Sequence, residues 1–350
     1  MKKKGLIALV VLVVLIGAGY FIGKPYYDLH FSTINGLGAA EGKNVFVPTG
    51  SSLEDLSDII DENGLMKKDE FLSFAEELGF SGDKVEPGKY FFTGGMKKKN
   101  LIYALKNGNQ EVKDVRITFN NCQTIADMAG KVAPAIECDS AEIVDYILDP
   151  KTIEKYGFRN ESIIALFLPD TYEVGEWDMS AEEFVQRMAD EYKNFWSEDR
   201  QSKAAALNLQ QSEVATLASI LEAEQSINVS EWKTIAGLYL NRLKIGMLLQ
   251  SDPTAKYCWG DELEGVTRLL RIHMQKDCPY NTYLYAGLPP GPIRMPSKKA
   301  MDAVLNYENH NYLYMCAKPD NSGLHNFAST LSQHNANAAK WRAYASQRGL

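Results

Sequence analysis

The 350-residue chain has few of the side chains that build metal and nucleophile sites. Its five histidines, His30, His273, His310, His325 and His334, have no metal-ligand spacing, and no H-E-x-x-H occurs. P-loop, G-x-G-x-x-G and G-x-S-x-G motifs are missing, so nothing points to nucleotide binding or to a serine hydrolase elbow. No cofactor and no metal are implied. The five cysteines include no C-x-x-C pair, which removes support for a zinc ribbon or thioredoxin-like site. Basic residues are outnumbered, with 37 Lys and Arg against 45 Asp and Glu, for a net charge of −8. Nucleic-acid binding rests on Lys and Arg contacts to phosphate, so an acidic chain without a long basic run has no nucleic acid as its expected partner. There is one long apolar run, which excludes a polytopic membrane protein, and neither an internal repeat nor a low-complexity tract.

What remains is ordinary globular composition, 45% hydrophobic and 23% charged. The length suits about two domains and buries enough core to fold without disulfide staples. The apolar run, Gly5 to Gly23, follows Lys2-Lys3-Lys4 and is closed by Lys24. As a helix it just spans a hydrocarbon core of roughly 30 Å. The lysines predict a cytoplasmic N-terminus, with everything after Lys24 outside the membrane. A cleaved signal peptide is the competing reading, with Gly17-Ala18-Gly19 as a passable site; the run is long for a signal. All five cysteines then fall in the exported part. Pairs 122–138 and 258–278 follow from proximity in sequence, with Cys316 left over, and buried free thiols are the equal alternative.

Residues 25–44, with Gly36-Leu37-Gly38, read as a linker. Val45-Phe46-Val47-Pro48 reads as a strand, and Ser52 as the N-cap of a helix with Glu54 and Asp55 in its first turn. A helix from Asp69 to Leu78, a strand at Tyr90-Phe91-Phe92 and a short helix ending at Gly108 complete a small α+β module over 45–110. Lys97-Lys98-Lys99 could touch an anionic polymer or lipid; a solvated basic turn is the plainer reading. A larger α+β domain follows over 111–350, divided into a connecting part, 111–205, and a core, 206–350. It opens on a strand at 115–119, followed by helices at 124–132 and 141–148. Phe167 to Tyr172 is expected as a strand ending in a turn, and Ala181 to Trp196 as a long helix.

Ser212 is the expected N-cap of a helix running to Glu224, with Val214, Leu217, Ala218 and Leu221 as its buried stripe. At about 100° per residue, Glu222 and Glu224 flank opposite edges of that stripe. Either carboxyl could be half-buried and carry a proton near neutral pH, and periodicity does not choose between them. Two solvated surface glutamates would look the same. A second helix, Ser230 to Ile245, ends at Gly246 and carries Asn241 and Arg242. Gln250-Ser251-Asp252-Pro253-Thr254, Tyr257, Tyr280-Asn281-Thr282-Tyr283 and Gly287 to Ile293 are polar, aromatic, turn-rich loops that suit a hydroxyl-rich ligand such as a glycan.

Several of these segments, in this order, resemble the YceG-like family of endolytic murein transglycosylases. They are Leu217 to Glu224, Asn241 to Met247, Leu249 to Thr254, Pro279 to Tyr283, Gly287 to Ile293, and His325-Asn326-Phe327 through His334-Asn335. Phe167 to Tyr172 and the apolar N-terminus fit as well, and the 45–110 module resembles the family's LysM-like domain. The resemblance implies cleavage of the β-1,4 bond between MurNAc and GlcNAc in peptidoglycan, leaving a 1,6-anhydro-MurNAc end and consuming no water. It makes peptidoglycan strands the expected partner, beside cell-wall synthesis enzymes. The first glutamate of the family's E-x-E pair is catalytic, which maps onto Glu222. Asn241, Gln250, Asp252, Tyr257, Tyr280 and Asn281 become the candidates to bind sugar. Ile164-Ala165 and Asn120-Asn121 depart from the usual pattern, Cys278 stands where Ser is common, and Ser251 where Thr is common. A muramidase using water in the same cleft, and a non-catalytic anchored binder, are the rival readings.

Overall fold

The structure, a computed structural model, describes residues 2–38, 40–81, 85–109, 115–266 and 269–348, without the side chains of 2–8, 18 and 22. The side chains of Lys2-Lys3-Lys4, the module boundary expected at 110–111 and the final residues 349–350 lie outside that description. The chain is mostly helical, with small two-stranded sheets. It divides into two compact units: residues 1–116 with 135–138 and 173–180, and residues 117–134, 139–172 and 181–350.

The first unit carries α1 (Lys2–Phe31), β1 (Gly42–Val47), α2 (Leu53–Glu62), α3 (Lys68–Glu77), β2 (Gly88–Thr93) and α4 (Lys98–Lys106). This is the strand–helix–helix–strand–helix order read from the sequence. The strands pair antiparallel from Gly42 opposite Thr93 to Val47 opposite Gly88. Ser52 caps α2 in a reciprocal box: its hydroxyl accepts the Asp55 N–H, while the Asp55 carboxylate accepts the Ser52 N–H. Val45, Val47, Leu56, Ile60, Phe71, Tyr90, Phe92, Leu101 and Leu105 form the core.

Two features of this unit correct the linear reading. The segment expected as a linker is built into the module. Leu29 and Ile34 are buried in its core, and Gly36 sits in the left-handed region (φ +71°), where a Cβ would lie 2.7 Å from the Gly64 carbonyl oxygen. Its glycines serve close packing. The module is also not contiguous. Glu137 accepts two bonds from Thr49, and Trp177 packs on Phe46 with ring centroids 5.1 Å apart. Both partners lie beyond residue 130, where periodicity within 45–110 could not reveal them.

In the second unit follow α5 (Ile125–Val132), α6 (Ser140–Leu148), α7 (Pro150–Lys155), α8 (Ala181–Phe195) and α9 (Glu198–Ala206). After them come α10 (Gln211–Glu224), α11 (Trp232–Lys244), α12 (Asp252–Trp259), α13 (Lys298–Leu305) and α14 (Leu331–Arg348). Strands β3 (Val115–Phe119) and β4 (Asp170–Gly175) pair, and β5 (Tyr314–Ala317) runs antiparallel to β6 (His325–Ala328). The strand expected at Phe167 starts only at Asp170, after Pro169, which has no N–H to give a ladder. Helix α10 starts two residues earlier than Ser212 would set it, because Glu213 reaches back to accept the Gln210 N–H at 2.7 Å.

Every residue of α10 from Val214 to Leu221 is buried, not one stripe alone. Its two interior hydroxyls are satisfied within the helix: Thr216 donates to the Ser212 carbonyl and Ser219 to the Thr216 carbonyl. Ser219 also accepts the Ile293 N–H at 3.0 Å. Around this helix pack α11, α12 and α13. Replacing the fully buried Ile220 by Ala should destabilise the fold by about 2–5 kcal/mol, from lost burial and the cavity left behind. Urea denaturation of the full chain would measure it, and a change within error would show that α10 is not the centre of the core.

Candidate active site

Residues 222 and 224 stand about 200° apart around the end of α10, so their carboxyls leave it in opposite directions, each toward the N-terminus of another helix. Glu222 is half-buried, and its Oε2 accepts the Ser297 N–H at 2.8 Å. Ser297 is the N-cap of α13, and its hydroxyl accepts the Ala300 N–H. Oε1 of Glu222 makes no hydrogen bond among the described residues. Lys298, the next residue, donates to Asp170 at 2.6 Å and lies 5.2 Å from the centre of the Tyr172 ring. The Pro169-Asp170-Thr171-Tyr172 segment thus reaches the same helix end as Glu222. The Lys298 bond holds the Asp170 carboxyl below the usual range.

Glu224 turns to α12. Its Oε2 accepts the Ser251 hydroxyl at 2.9 Å, beside the buried Tyr239. Burial pushes its carboxyl above the ordinary value, the Ser251 bond opposes this, and neighbouring Asp252 adds to it. Ser251 is the N-cap residue of α12, and its own N–H goes to the Thr282 hydroxyl at 3.0 Å. Thr282 also meets Thr254 at 2.7 Å, and its carbonyl accepts the Gln250 N–H. The 279–283 loop is thereby fastened to the start of α12. The hydroxyl that Glu224 uses is common to Ser and Thr, so the departure at 251 keeps this contact available.

The structure treats the six predicted sugar-binding residues unequally. Asp252 is exposed and accepts the Tyr283 hydroxyl at 2.5 Å. Tyr257 and Tyr280 pair, with centroids 4.6 Å apart and planes tilted by 46°. Gln250 is exposed, with φ +49°, a conformation that a non-glycine residue rarely adopts. These four lie on α12 or the loops fastened to it. Asn281 is different: it is fully buried, its amide donates to the Met274 and Lys276 carbonyls, and its Oδ1 accepts the Tyr283 N–H. These bonds to backbone groups shape the loop. Asn241 donates to the His310 and Tyr312 carbonyls and borders a cavity of about 950 Å³ with Lys244, Tyr285 and Leu288. Glu222 does not line that cavity.

Sequence reasoning passed over several residues of this framework. Ser297 and Lys298 lie 75 or more positions from Glu222 and carry no local signal. The turn after α10 is held by Gln225, which donates to Glu231, whose carboxylate also accepts the His325 N–H and meets His325 Nδ1 at 2.9 Å. Gly291 lies against the backbone, where a Cβ would fall 1.8 Å from the Glu161 carbonyl oxygen. Cys278 pairs with Cys258, as expected from spacing. The expected 122–138 pair is not formed: Cys122 and Cys138 are both buried without a disulfide between them, and they belong to different compact units. Cys316 forms no disulfide either. Among the described residues, no three His, Cys, Asp or Glu side chains are placed to hold a metal ion.

The YceG-like family profile matches residues 45–340. The endolytic murein transglycosylase of Bacillus subtilis is 27% identical over 313 residues, covering 85% of this chain and 84% of that protein. The Streptococcus pneumoniae (strain D39) protein of the same description is 25% identical over 364 residues, and the match covers 97% of this chain but 65% of the pneumococcal one. Among solved structures, a yceG-like protein of Listeria monocytogenes matches with a TM-score of 0.56 and 25% identity, over 85% of this chain and 98% of that one.

The Glu224 carboxyl gives a pH test. Its affinity for a proton is higher folded than unfolded, so its contribution to stability is full at low pH and is lost as pH rises from the ordinary 4.5 through the raised folded value. Glu224→Gln should remove that loss. Urea midpoints of the variant relative to the parent should therefore improve between pH 5 and pH 8, and parallel pH profiles would refute the assignment.

Proposed function

This chain belongs to the YceG-like family, and from that premise we propose that it is an endolytic lytic transglycosylase. It cleaves MurNAc-β-1,4-GlcNAc bonds within peptidoglycan strands and leaves 1,6-anhydro-MurNAc ends. The observation that carries the reading is the state of Glu222: one carboxyl oxygen is fixed by the Ser297 N–H, and the other makes no hydrogen bond among the described residues. A carboxyl held at a single point presents its second oxygen in a defined direction, as a general acid must. Protonated Oε1 donates to the glycosidic oxygen as the sugar ring takes on oxocarbenium character. The resulting carboxylate then accepts the proton of the MurNAc C6 hydroxyl as that oxygen closes on C1. The Ser297 N–H stabilises the negative charge between the two transfers. Since the substrate supplies the nucleophile, no second carboxylate placed for water is required. Glu224, enclosed by Ser251 and Tyr239, positions α12 rather than serving as that second carboxylate.

In this reading Asp252, Gln250, Tyr257 and Tyr280 face the sugar, and the 45–110 segment is a LysM-like module that engages the same polymer. The N-terminal apolar helix is an uncleaved single-pass anchor in the inner membrane, with the remainder outside. Its continuity supports this over a signal sequence, because α1 runs unbroken to Phe31 and Leu29 belongs to the module's core. An anchored enzyme meets nascent strands beside the cell-wall synthesis enzymes before it meets mature wall.

Digestion of purified peptidoglycan followed by mass spectrometry tests the reaction. The parent protein should give anhydro ends, and Glu222→Gln should slow their appearance by about 10²–10⁴-fold, the usual weight of a general acid–base. Reducing ends in place of anhydro ends would make the protein a hydrolase. Unchanged strand lengths with both proteins would make it a binder.

A further inference from the structure

The lysine triplet at 97–99 has no part in the reaction, yet its surroundings are specific. The apolar run of α1 ends at Gly23, and the helix continues through Lys24 to Phe31 without a break. At about 1.5 Å per residue, Phe31 stands roughly 10–12 Å beyond the end of that run. There the chain joins the N-terminus of α4. Lys98 donates its N–H to the Ser32 carbonyl, Ile34 donates to the Met96 carbonyl, and Thr33 bridges Lys97. Leu29 is fully buried beneath these contacts. These contacts join α4 to the end of α1 and hold the triplet near the end of the span.

The side chains in this region divide by role. Lys98 turns inward to an ion pair with Glu70 at 2.6 Å. Lys97 is exposed, with its Nζ 5.6 Å from the centre of the Phe31 ring, and Lys99 is half-buried. Tyr26, Tyr27 and Phe31 are each more than half exposed on a helix that otherwise enters a core. Lys24 lies over the Tyr20 ring. Asp28, the carboxylate within this stretch of α1, accepts the Ser32 hydroxyl. Aromatic rings with polar edges favour the headgroup layer, and lysines next to it are drawn to anionic lipid.

We propose that Tyr26, Tyr27 and Phe31, with Lys24, Lys97 and Lys99, form one surface that docks the first compact unit onto the anionic phospholipid headgroups beside α1. This rests on the reading of α1 as an uncleaved span. Lipid is the occupant because the covalent path from Gly23 leaves Tyr26 and Tyr27 within the headgroup layer, about 4–6 Å beyond the apolar run, and Phe31 with Lys97 a few ångströms outside it, facing the bilayer surface.

The test uses the full chain in nanodiscs of phosphatidylcholine alone and of phosphatidylcholine with one-third phosphatidylglycerol. Lysine acetylation rates are read by mass spectrometry against a free peptide in the same tube. A surface potential of about −30 mV raises the local proton activity, and so lowers the reactive free-amine fraction, roughly threefold. Lys24, Lys97 and Lys99 should slow by about that factor in the anionic discs and recover in high salt. A variant with Tyr26, Tyr27 and Phe31 all changed to Ser should lose the slowing at Lys97 and Lys99. A chain that co-elutes with the discs but labels equally in both lipids would overturn the docking surface and leave the anchor standing. A chain that does not co-elute would overturn the anchor, and the docking surface with it.

Discussion

Two carboxyls leave the end of one buried helix in opposite directions, and the rest of the candidate site is arranged around that divergence. Helix α10 is enclosed from Val214 to Leu221, so its axial position and rotation are set by packing on α11, α12 and α13. Rotation about the helix then fixes where residues 222 and 224 point. One meets the start of α13 through Ser297, and the other meets the start of α12 through Ser251. Helix N-termini present unsatisfied N–H groups and a partial positive charge, which suits acidic side chains. The two carboxyls nonetheless have different surroundings. Among the described residues one keeps an oxygen without a hydrogen bond, while burial shifts the other toward its neutral form. Identical side chains two positions apart thus acquire separate environments.

Much of the local structure could be read in the sequence because its causes are local. The Ser52–Asp55 box, the left-handed Gly246 after α11 and the apolar spacing of α10 each act within a turn or two. What escaped was set by particular side-chain contacts that apolar spacing does not show. Ser212 looks like a cap until Glu213 is seen reaching back to Gln210. The Asn281 amide donates to the Met274 and Lys276 carbonyls, a loop-shaping contact that residue type alone does not announce. Helix α12 follows Ser251 and has Pro253 in its first turn, a composition that also fits a loop; proline is tolerated there because the first N–H groups of a helix lack partners anyway. The E-x-E spacing gave the opposed directions of the two glutamates, but not the residues they would meet.

The cysteines and the residues that depart from the family pattern are informative together. Cys278 falls in the segment before Asn281, and its bond to Cys258 ties that segment to α12, the helix whose start Glu224 holds. The polar contacts from Thr282 to Ser251 and Thr254 secure the same junction. One region is thus held by covalent and hydrogen bonds at once, which limits the ways its Tyr257–Tyr280 pair can reorient.

The return of residues 135–138 and 173–180 to the first compact unit bears on biogenesis. Phe46 waits for Trp177, and Thr49 for Glu137. A polypeptide emerging from its N-terminus cannot complete that unit when residue 116 appears. It must hold a partly open surface until residue 180 has followed, by which point the first helices of the second unit are already synthesised. The two units therefore overlap in synthesis, because the first is complete only at residue 180, when part of the second has already been made.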